Sequence, residues 1–285
     1  MNTMEQHLKL LRETEEQRKE NSPEAAEAKR LATQAIDLTR YRNERNLMLY
    51  PFCSTSRRKR LKTINYKSAD GQRWLEVSAS HEYGMVKIWD FDVLRFALSK
   101  AGEIANHLNY FPPFVEFSAY ECLKALGKDT KGSGSFTWLE GALARLLSTT
   151  YRGNIFRDDT KLVIGFTLIR FEYKKNEDGS IGNIRINFDE RLVESVRYNK
   201  GLLAIDQEVL KESSGIRKRL LELVKVSKGS SEEWTVNLIR LAEMCSHEGE
   251  LKEFKRNLKL YRLPWQIKFS KRFNGEDKVT FFNKS

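Results

Sequence analysis

Hydrophobic and polar positions in the middle of the chain change period along the sequence. Residues 115–117 alternate as a short strand does and run into Ser-Ala-Tyr-Glu at 118–121, a capping box that begins a helix. A second capping box at 137–140 opens another helix, whose apolar positions recur every three or four residues. Alternating stretches at 162–174 and 181–188 then flank a glycine-containing turn. The pattern predicts the order strand, helix, helix, hairpin.

The same order returns near the carboxyl end. Asn237 stands 119 positions after Ser118 and takes the same place at the start of a short helix. The predicted elements of this second unit are a strand at 234–236, helices at 238–245 and 250–262, and a hairpin at 265–282 that turns at Asn274-Gly275. A strand, two helices and a wing-like hairpin form the winged-helix arrangement, an elaborated helix-turn-helix.

The first part of the chain has a different pattern. Residues 4–19 and 24–46 read as charged helices on either side of Ser22-Pro23, with a narrow apolar stripe. This segment is either a loosely docked arm or an oligomerisation and docking helix. Alternation at 61–80 predicts a hairpin, and Asp90 is expected to cap a helix at 91–105. We therefore expect an α+β fold. It comprises a helical N-terminal arm (1–49) and two tandem winged-helix domains (50–195 and 196–285).

The charge changes the functional picture. The chain has 50 Lys and Arg against 39 Asp and Glu, a net charge of +11, and a pI near 9.4. Residues 56–67 carry six basic and no acidic side chains, and residues 250–285 carry ten basic and four acidic ones. Localised positive charge attracts polyanions, of which nucleic acid is the usual one. The run at 57–60 is either a lining for the duplex backbone or an ordinary basic loop.

Cationic and small polar residues cluster around the second helix of each unit. In the second unit the helix at 250–262 separates an apolar stripe from a cationic one, and further cations follow on the hairpin. A helix fits the major groove, where lysines reach phosphates and arginine forks onto guanine, so Arg256 and Arg262 are the expected base readers. The predicted DNA-binding residues are Lys128, Lys131, Ser133, Ser135, Thr137, Arg145, Arg152, Lys252, Lys255, Arg256, Lys259, Arg262, Lys268, Lys271 and Arg272.

Other chemistries have weaker support in the sequence. The longest apolar run, 162–169, is far shorter than a bilayer span, and the N-terminus lacks the order of a secretory signal. Three widely spaced cysteines suit buried thiols in a reducing cytosol, and Cys245 with His247 lacks the second pair of a zinc site. We therefore expect no metal, no cofactor and no membrane association.

Enzymatic function is an alternative of a different class. Residues 127–133 resemble the start of a phosphate-binding loop but lack the lysine after the second glycine. Asp90 and Asp92 could form the carboxylate pair of a metal-dependent nucleic-acid enzyme, although this pair opens a helix. The histidines are scattered singly, and no nucleophile–base arrangement stands out. We expect no catalytic residues.

Several collinear stretches between residues 50 and 264 resemble plasmid replication initiators of the RepA type, the RPA family. They are Tyr-Pro-Phe-Cys-Ser-Thr-Ser at 50–56, Gly-Met-Val-Lys-Ile-Trp-Asp-Phe-Asp-Val-Leu at 84–94, the block 115–150, Asn-Phe-Asp-Glu-Arg-Leu at 187–192, Leu-Ala-Ile-Asp at 203–206, 215–223, and Leu-Lys-Glu-Phe-Lys-Arg at 251–256. The arm 1–49 matches nothing in that family, and Ser-Gly-Ser-Phe at 133–136 replaces a more polar entry to the reading helix.

The resemblance implies a cytoplasmic initiator that binds repeated origin sites (iterons) in double-stranded DNA. It further implies local melting of the duplex, recruitment of a host initiator and the replicative helicase, autorepression in some members, and possible self-association. A winged-helix transcriptional repressor that only occupies an operator is the runner-up within the same class. A third alternative is an assembly hub organised by residues 1–49.

Overall fold

The computed structural model describes residues 20–35, 38, 40–156, 161–177, 179–199, 201–271 and 277–283. The helices are α1 (Pro23–Leu31), α2 (Arg45–Leu49), α3 (Phe91–Leu108), α4 (Ala119–Ala125), α5 (Ser133–Ser148), α6 (Glu190–Asn199), α7 (Gln207–Lys211), α8 (Gly215–Lys228), α9 (Leu238–Met244) and α10 (Leu251–Leu260). The strands are β1 (Tyr41–Glu44), β2 (Ile64–Lys67), β3 (Trp74–Ser78), β4 (Phe114–Ser118), β5 (Thr150–Gly153), β6 (Ile164–Phe166), β7 (Ile169–Lys175), β8 (Ile181–Phe188), β9 (Leu202–Ile205), β10 (Glu233–Asn237), β11 (Trp265–Lys271) and β12 (Asp277–Asn283).

Two three-stranded sheets have the same topology. The strand order is β4-β8-β7 in the first and β10-β12-β11 in the second, so in each the last strand of the unit lies between the other two. Each sheet is antiparallel, and each first strand leads into two helices before the hairpin. The predicted order of elements is therefore present in both halves, and the α+β prediction is confirmed.

The helix starts after the two first strands follow the capping chemistry read from the sequence. The Ser118 hydroxyl accepts from the Glu121 backbone N–H at 3.0 Å, and the Asn237 side chain accepts from the Ile239 N–H at 2.8 Å. Gly127 ends α4 with a φ of 66°, a left-handed conformation that glycine adopts without a Cβ clash. Ser22 caps α1 with Pro23 at its first position, also as expected.

Three local predictions are wrong. Thr137 does not cap α5, which begins at Ser133; the Thr137 hydroxyl lies inside the helix and donates to the Ser133 carbonyl at 3.2 Å. Asp90 makes no capping bond to α3, because its carboxylate is held by Arg145. The predicted strand 162–174 divides into β6 and β7, which belong to different sheets.

The first half also contains a four-stranded sheet, β2-β3-β5-β6, whose strands β5 and β6 lie in the chain between α5 and the β7–β8 hairpin. β2 and β3 form the predicted hairpin at 61–80, with Gly71 in the left-handed region at a φ of 73°. Gly153 on β5 faces Trp74 so closely that an added Cβ would overlap the Trp74 carbonyl. Glycine is therefore required where β5 joins β3.

The helix predicted at 24–46 is wrong in its second part, since α1 ends at Leu31 and β1 follows. β1 pairs antiparallel with β9, from Tyr41 opposite Ile205 to Glu44 opposite Leu202. Two side chains of β1 are buried although they are polar: Asn43 donates to Glu222, and Glu44 accepts from Ser195 at 2.6 Å. The helix predicted at 4–19 lies outside the described residues.

Each half of the chain has its own hydrophobic core. The first contains buried residues between 25 and 193, with α3 buried along most of its length, and the second contains Met48 and residues between 205 and 281. Arg219 of α8 is buried and donates to the carbonyls of Leu47, Met48, Tyr50 and Met244, which ties the segment after β1 to the end of α9. The proposed domain boundaries stay a prediction.

A buried charge network joins α3 to α8. Arg95 donates to both carboxylate oxygens of Glu222, at 2.9 and 2.5 Å, and to Asp92 at 2.8 Å. Lys218 reaches the other oxygen of Asp92 at 2.7 Å. Two positive and two negative charges thus neutralise one another where the two halves meet.

Candidate DNA-binding face

Helix α10 has one buried and one exposed face. Phe254 and Leu258 are fully buried in the second core, whereas Lys252, Arg256 and Lys259 are exposed. The spacing of three and four residues within each set places each on a single side of the helix. The cationic stripe predicted from the sequence therefore faces solvent.

Strand β11 adds Lys271 to the same region, because Asp277 opposite Lys271 is the ion-pair partner of Lys255. Lys268 and Lys271 are exposed, and the ammonium groups of Lys255 and Lys259 lie 5.6 and 5.5 Å from the ring centre of Phe269 on that strand. The Phe269 ring thus brings the helix and the hairpin together. These residues form the surface that we call the α10 face: Lys252, Lys255, Arg256, Lys259 and Lys271. Lys268 lies on the opposite face of β11, because neighbouring side chains of a strand alternate, so its contact with DNA stays a prediction.

Three members of the predicted set differ from the others. Lys255 forms an ion pair with Asp277 at 2.5 Å, and the hydrogen bond from Lys255 holds the pKa of Asp277 below its ordinary value. Part of the charge of Lys255 is therefore matched. Arg262 lies beyond the end of α10 with an exposed side chain, while its carbonyl accepts from Arg217. Arg272 lies outside the described residues.

The residues predicted in the first half lie in three places. Lys131, Ser133, Ser135 and Thr137 lie at the start of α5, all exposed except the half-buried Ser135. Arg152 is exposed on β5, in the four-stranded sheet and 5.7 Å from the Trp74 ring centre.

Lys128 and Arg145 line a groove instead. The Lys128 ammonium lies 3.8 Å from the ring centre of Trp138. One edge of the Arg145 guanidinium, Nε and Nη2, donates to both carboxylate oxygens of Asp90, at 2.7 and 2.9 Å. In this arrangement Arg145 holds a carboxylate, so its contact with DNA stays a prediction.

The four residues of the basic run at 57–60 also lie in different environments. Arg60 is buried and donates to the Ser246 carbonyl at 2.9 Å, with Glu248 beside it at 3.3 Å. Arg57 lies over Trp89 at 4.4 Å, and its guanidinium donates to the Ser213 carbonyl. Arg58 and Lys59 remain exposed. The groove residues Lys87 and Lys211, unlike Arg57, carried no local sequence signal, because the groove is assembled from residues far apart in the chain.

The two carboxylates of the enzyme alternative have cationic partners. Asp90 binds Arg145, and Asp92 binds Arg95 and Lys218. Burial raises the pKa of Asp92, and the charges of Arg95 and Lys218 oppose that effect. In the described ranges, no cluster of three or more His, Cys, Asp or Glu is arranged to hold a metal ion. Nor, in the same ranges, does any helix combine the length and apolar character that crossing a membrane requires.

The three cysteines are buried. Burial raises the pKa of Cys53 and of Cys245 to about 12, and raises that of Cys122 as well. A thiol with so high a pKa is a poor nucleophile at neutral pH. The cysteines therefore act as packing residues.

Comparison with known proteins identifies the family. Residues 42–262 match the family described as Replication initiator protein A, RPA. The chain belongs to the RPA family. A "Putative replication protein" from Wigglesworthia glossinidia brevipalpis is 28% identical over 181 residues, which cover 62% of this chain and 65% of that protein. The chain thus spans about two thirds of the length of this curated relative.

Solved structures show the same fold at low sequence identity. A crystal structure of domains 2 and 3 of RctB, as SeMet derivatives, superposes with a TM-score of 0.56 at 12% identity, covering 84% of this RPA-family chain and 96% of that chain. A second structure of RctB domains 2-3, RctB-155-483, gives a TM-score of 0.51 at 12% identity with the same coverage. These matches show a shared fold across both halves.

Proposed function

We propose that this protein is a replication initiator that binds double-stranded DNA sequence-specifically through the α10 face. The single observation that carries the proposal is the exposure of that face. Lys252, Arg256 and Lys259 point away from the buried Phe254 and Leu258, and strand β11 adds Lys271 beside them. A helix of this kind fits the major groove, with lysines on phosphates and Arg256 able to read guanine.

We interpret the two repeated units as tandem winged-helix domains. Their sheets share one strand order, and each unit has two helices between its first strand and its hairpin. The second helices, α5 and α10, are then the reading helices, and the hairpins β7–β8 and β11–β12 are the wings that grip flanking phosphates. Family membership supports the tandem arrangement on repeated origin sites.

Salt dependence of duplex binding tests the proposal. If about eight phosphates are neutralised, the logarithm of the association constant falls with the logarithm of salt concentration at a slope near −7. We expect Lys259→Ala to weaken binding uniformly across sequences and to reduce the slope by about 1. Lys225→Ala is the control. It removes a half-exposed lysine of α8 that is paired with Asp206, and it should leave the slope unchanged. A slope near zero, or equal slopes for Lys259→Ala and wild type, contradicts the proposal.

The proposed function also includes melting of the duplex and recruitment of host replication proteins. Several protomers on repeated sites would bend the duplex and favour opening of an adjacent AT-rich region, because bending energy depends on the deformed sequence. Permanganate reactivity of that region on a supercoiled origin plasmid measures the opening. If the protein occupies its DNA sites but the adjacent AT-rich region stays closed, the result would favour the alternative function, a transcriptional repressor. Binding of a host initiator and of the replicative helicase, self-association and a place beside DNA in the bacterial cytoplasm are parts of the same proposal that family membership supports.

A further inference from the structure

A groove of about 770 Å³ lies where the two halves of the chain meet. Its first wall comes from Tyr41, Trp89, Trp138 and the end of α4, and its second wall comes from α7 and the two residues after it. The α10 face is not part of its lining. Ligand sites of this volume occur preferentially between domains, where two sets of side chains converge on one space.

The groove has more positive charge than its own carboxylates match. Its three acidic residues already have partners: Asp90 pairs with Arg145, Asp92 with Arg95 and Lys218, and Glu212 with Arg217. Among the described residues, no carboxylate forms an ion pair with the remaining cations of the lining. These are Arg57, Lys87, Lys124, Lys128 and Lys211.

The crowding of these cations affects Lys87 directly. Its ammonium donates to the Arg57 carbonyl at 2.7 Å. Burial lowers the pKa of Lys87, the positive charges of Arg145 and Arg57 lower it further, and Asp90 only partly opposes them. A bound anion would relieve this repulsion.

Aromatic rings lie among the same cations. Trp89 carries the Arg57 guanidinium on its face, and Trp138 carries the Lys128 ammonium. The Trp89 indole N–H donates to the Glu212 carbonyl, which holds the ring between the two walls. A planar guanidinium stacked on indole extends a surface on which a flat heterocycle can lie, while lysines hold phosphates as point charges.

We propose that this groove binds a nucleotide, an aromatic base carrying phosphate groups, at a site separate from the α10 face. Lysines of both walls hold the phosphates, and the Trp89–Arg57 stack and Trp138 receive the base. The nucleotide is either free in solution or an unpaired residue of a DNA strand. Lys128 and Arg145, predicted from the sequence as duplex contacts, belong to the lining of this second site.

Charge reversal on each wall tests the site. Lys124→Glu lies on α4 and Lys211→Glu on α7, and both side chains are exposed, so folding should be retained. Calorimetric titration with ATP and ADP at low salt is expected to show saturable binding that each variant weakens by about tenfold or more. Lys67→Glu, which reverses the charge of an exposed lysine on β2 outside the groove, is the matched control and should change binding by less than about twofold.

Further titrants separate the two sources and the two sites. Binding of oligo-dT that is tighter than that of ATP, and lost in both groove variants, assigns the site to an unpaired strand; the reverse order assigns it to a free nucleotide. Lys259→Ala should weaken duplex binding and leave ATP binding unchanged, so a failure of the duplex proposal is distinguishable from a failure here. The inference is overturned if ATP, ADP and oligo-dT all bind more weakly than about 1 mM. It is also overturned if both groove variants bind as wild type does, or if pyrophosphate binds as tightly as ATP.

Discussion

The buried charge network between α3 and α8 gives the sharpest prediction about stability. In Glu222→Gln, Arg95 loses the carboxylate that accepts two of its hydrogen bonds. It keeps the Ile88 carbonyl and one carboxylate, Asp92, which it shares with Lys218. Burial disfavours the charged guanidinium, but the charges of Glu222 and Asp92 raise the pKa of Arg95 above its ordinary value, so it stays charged. Breaking a buried pair by removing one partner costs about 3–5 kcal/mol.

Urea unfolding measures this cost. At an m-value of about 3 kcal/mol per M, the Glu222→Gln midpoint should fall by about 1 M or more. The double variant Arg95→Met with Glu222→Leu removes one charge of each sign and leaves Asp92 paired with Lys218. The stability of the double variant should lie within about 2 kcal/mol of wild type. Apolar replacement of a whole buried pair is often neutral, and the remaining cost arises because Asn43 loses Glu222 as an acceptor. A loss below about 1 kcal/mol in Glu222→Gln, or a double variant as unstable as the two single losses combined, would refute the reasoning.

Three further predictions concern other parts of the structure. Arg219→Met should lower the free energy of unfolding by about 3 kcal/mol or more, measured by urea unfolding, because four backbone carbonyls lose a buried donor. Although burial raises the pKa of Glu20, the neighbouring Tyr110 hydroxyl and the hydrogen bonds from Arg197 and Lys29 bring it from 4.5 to about 2. Glu20 therefore stabilises the fold above pH 4.5, and the stability difference from Glu20→Gln, below about 1 kcal/mol for this half-exposed group, should disappear as the pH falls towards 2. Gly215→Ala should lower the melting temperature, since its Cβ would overlap the Thr55 carbonyl, whereas Gly134→Ala in α5 meets nothing within 4 Å and should not.

The repeated units could be predicted from the sequence because their signals are local. Ser118 and Asn237 cap helices through their own side chains, and α10 sorts its apolar and cationic residues by helical period. Such features need only a few neighbouring residues to form. The start of α5 could not be predicted from local sequence alone. Thr137 resembles a helix cap, but the helix begins four residues earlier, at Ser133, and so packs Phe136 against the first core.

Strand β1 could not be predicted for the opposite reason. Its partner β9 is far away in the chain, and its sequence Tyr-Arg-Asn-Glu has no apolar alternation. Asn43 and Glu44 can be buried only because Glu222 and Ser195 meet them from distant elements. The groove was missed for the same reason, since Trp89, Lys124 and Lys211 come together only through tertiary packing.

The locations of the cations also change what the net charge means. Arg95, Lys218 and Arg219 are buried, and their charges are matched by carboxylates or backbone carbonyls. These residues add to the count of 50 basic side chains but add nothing to the attraction for DNA. The net charge of +11 therefore has its effect through exposed cations, and those of α10 lie together with Lys271 on one face. For that reason Lys259→Ala should weaken duplex binding, whereas Glu222→Gln should act first on stability.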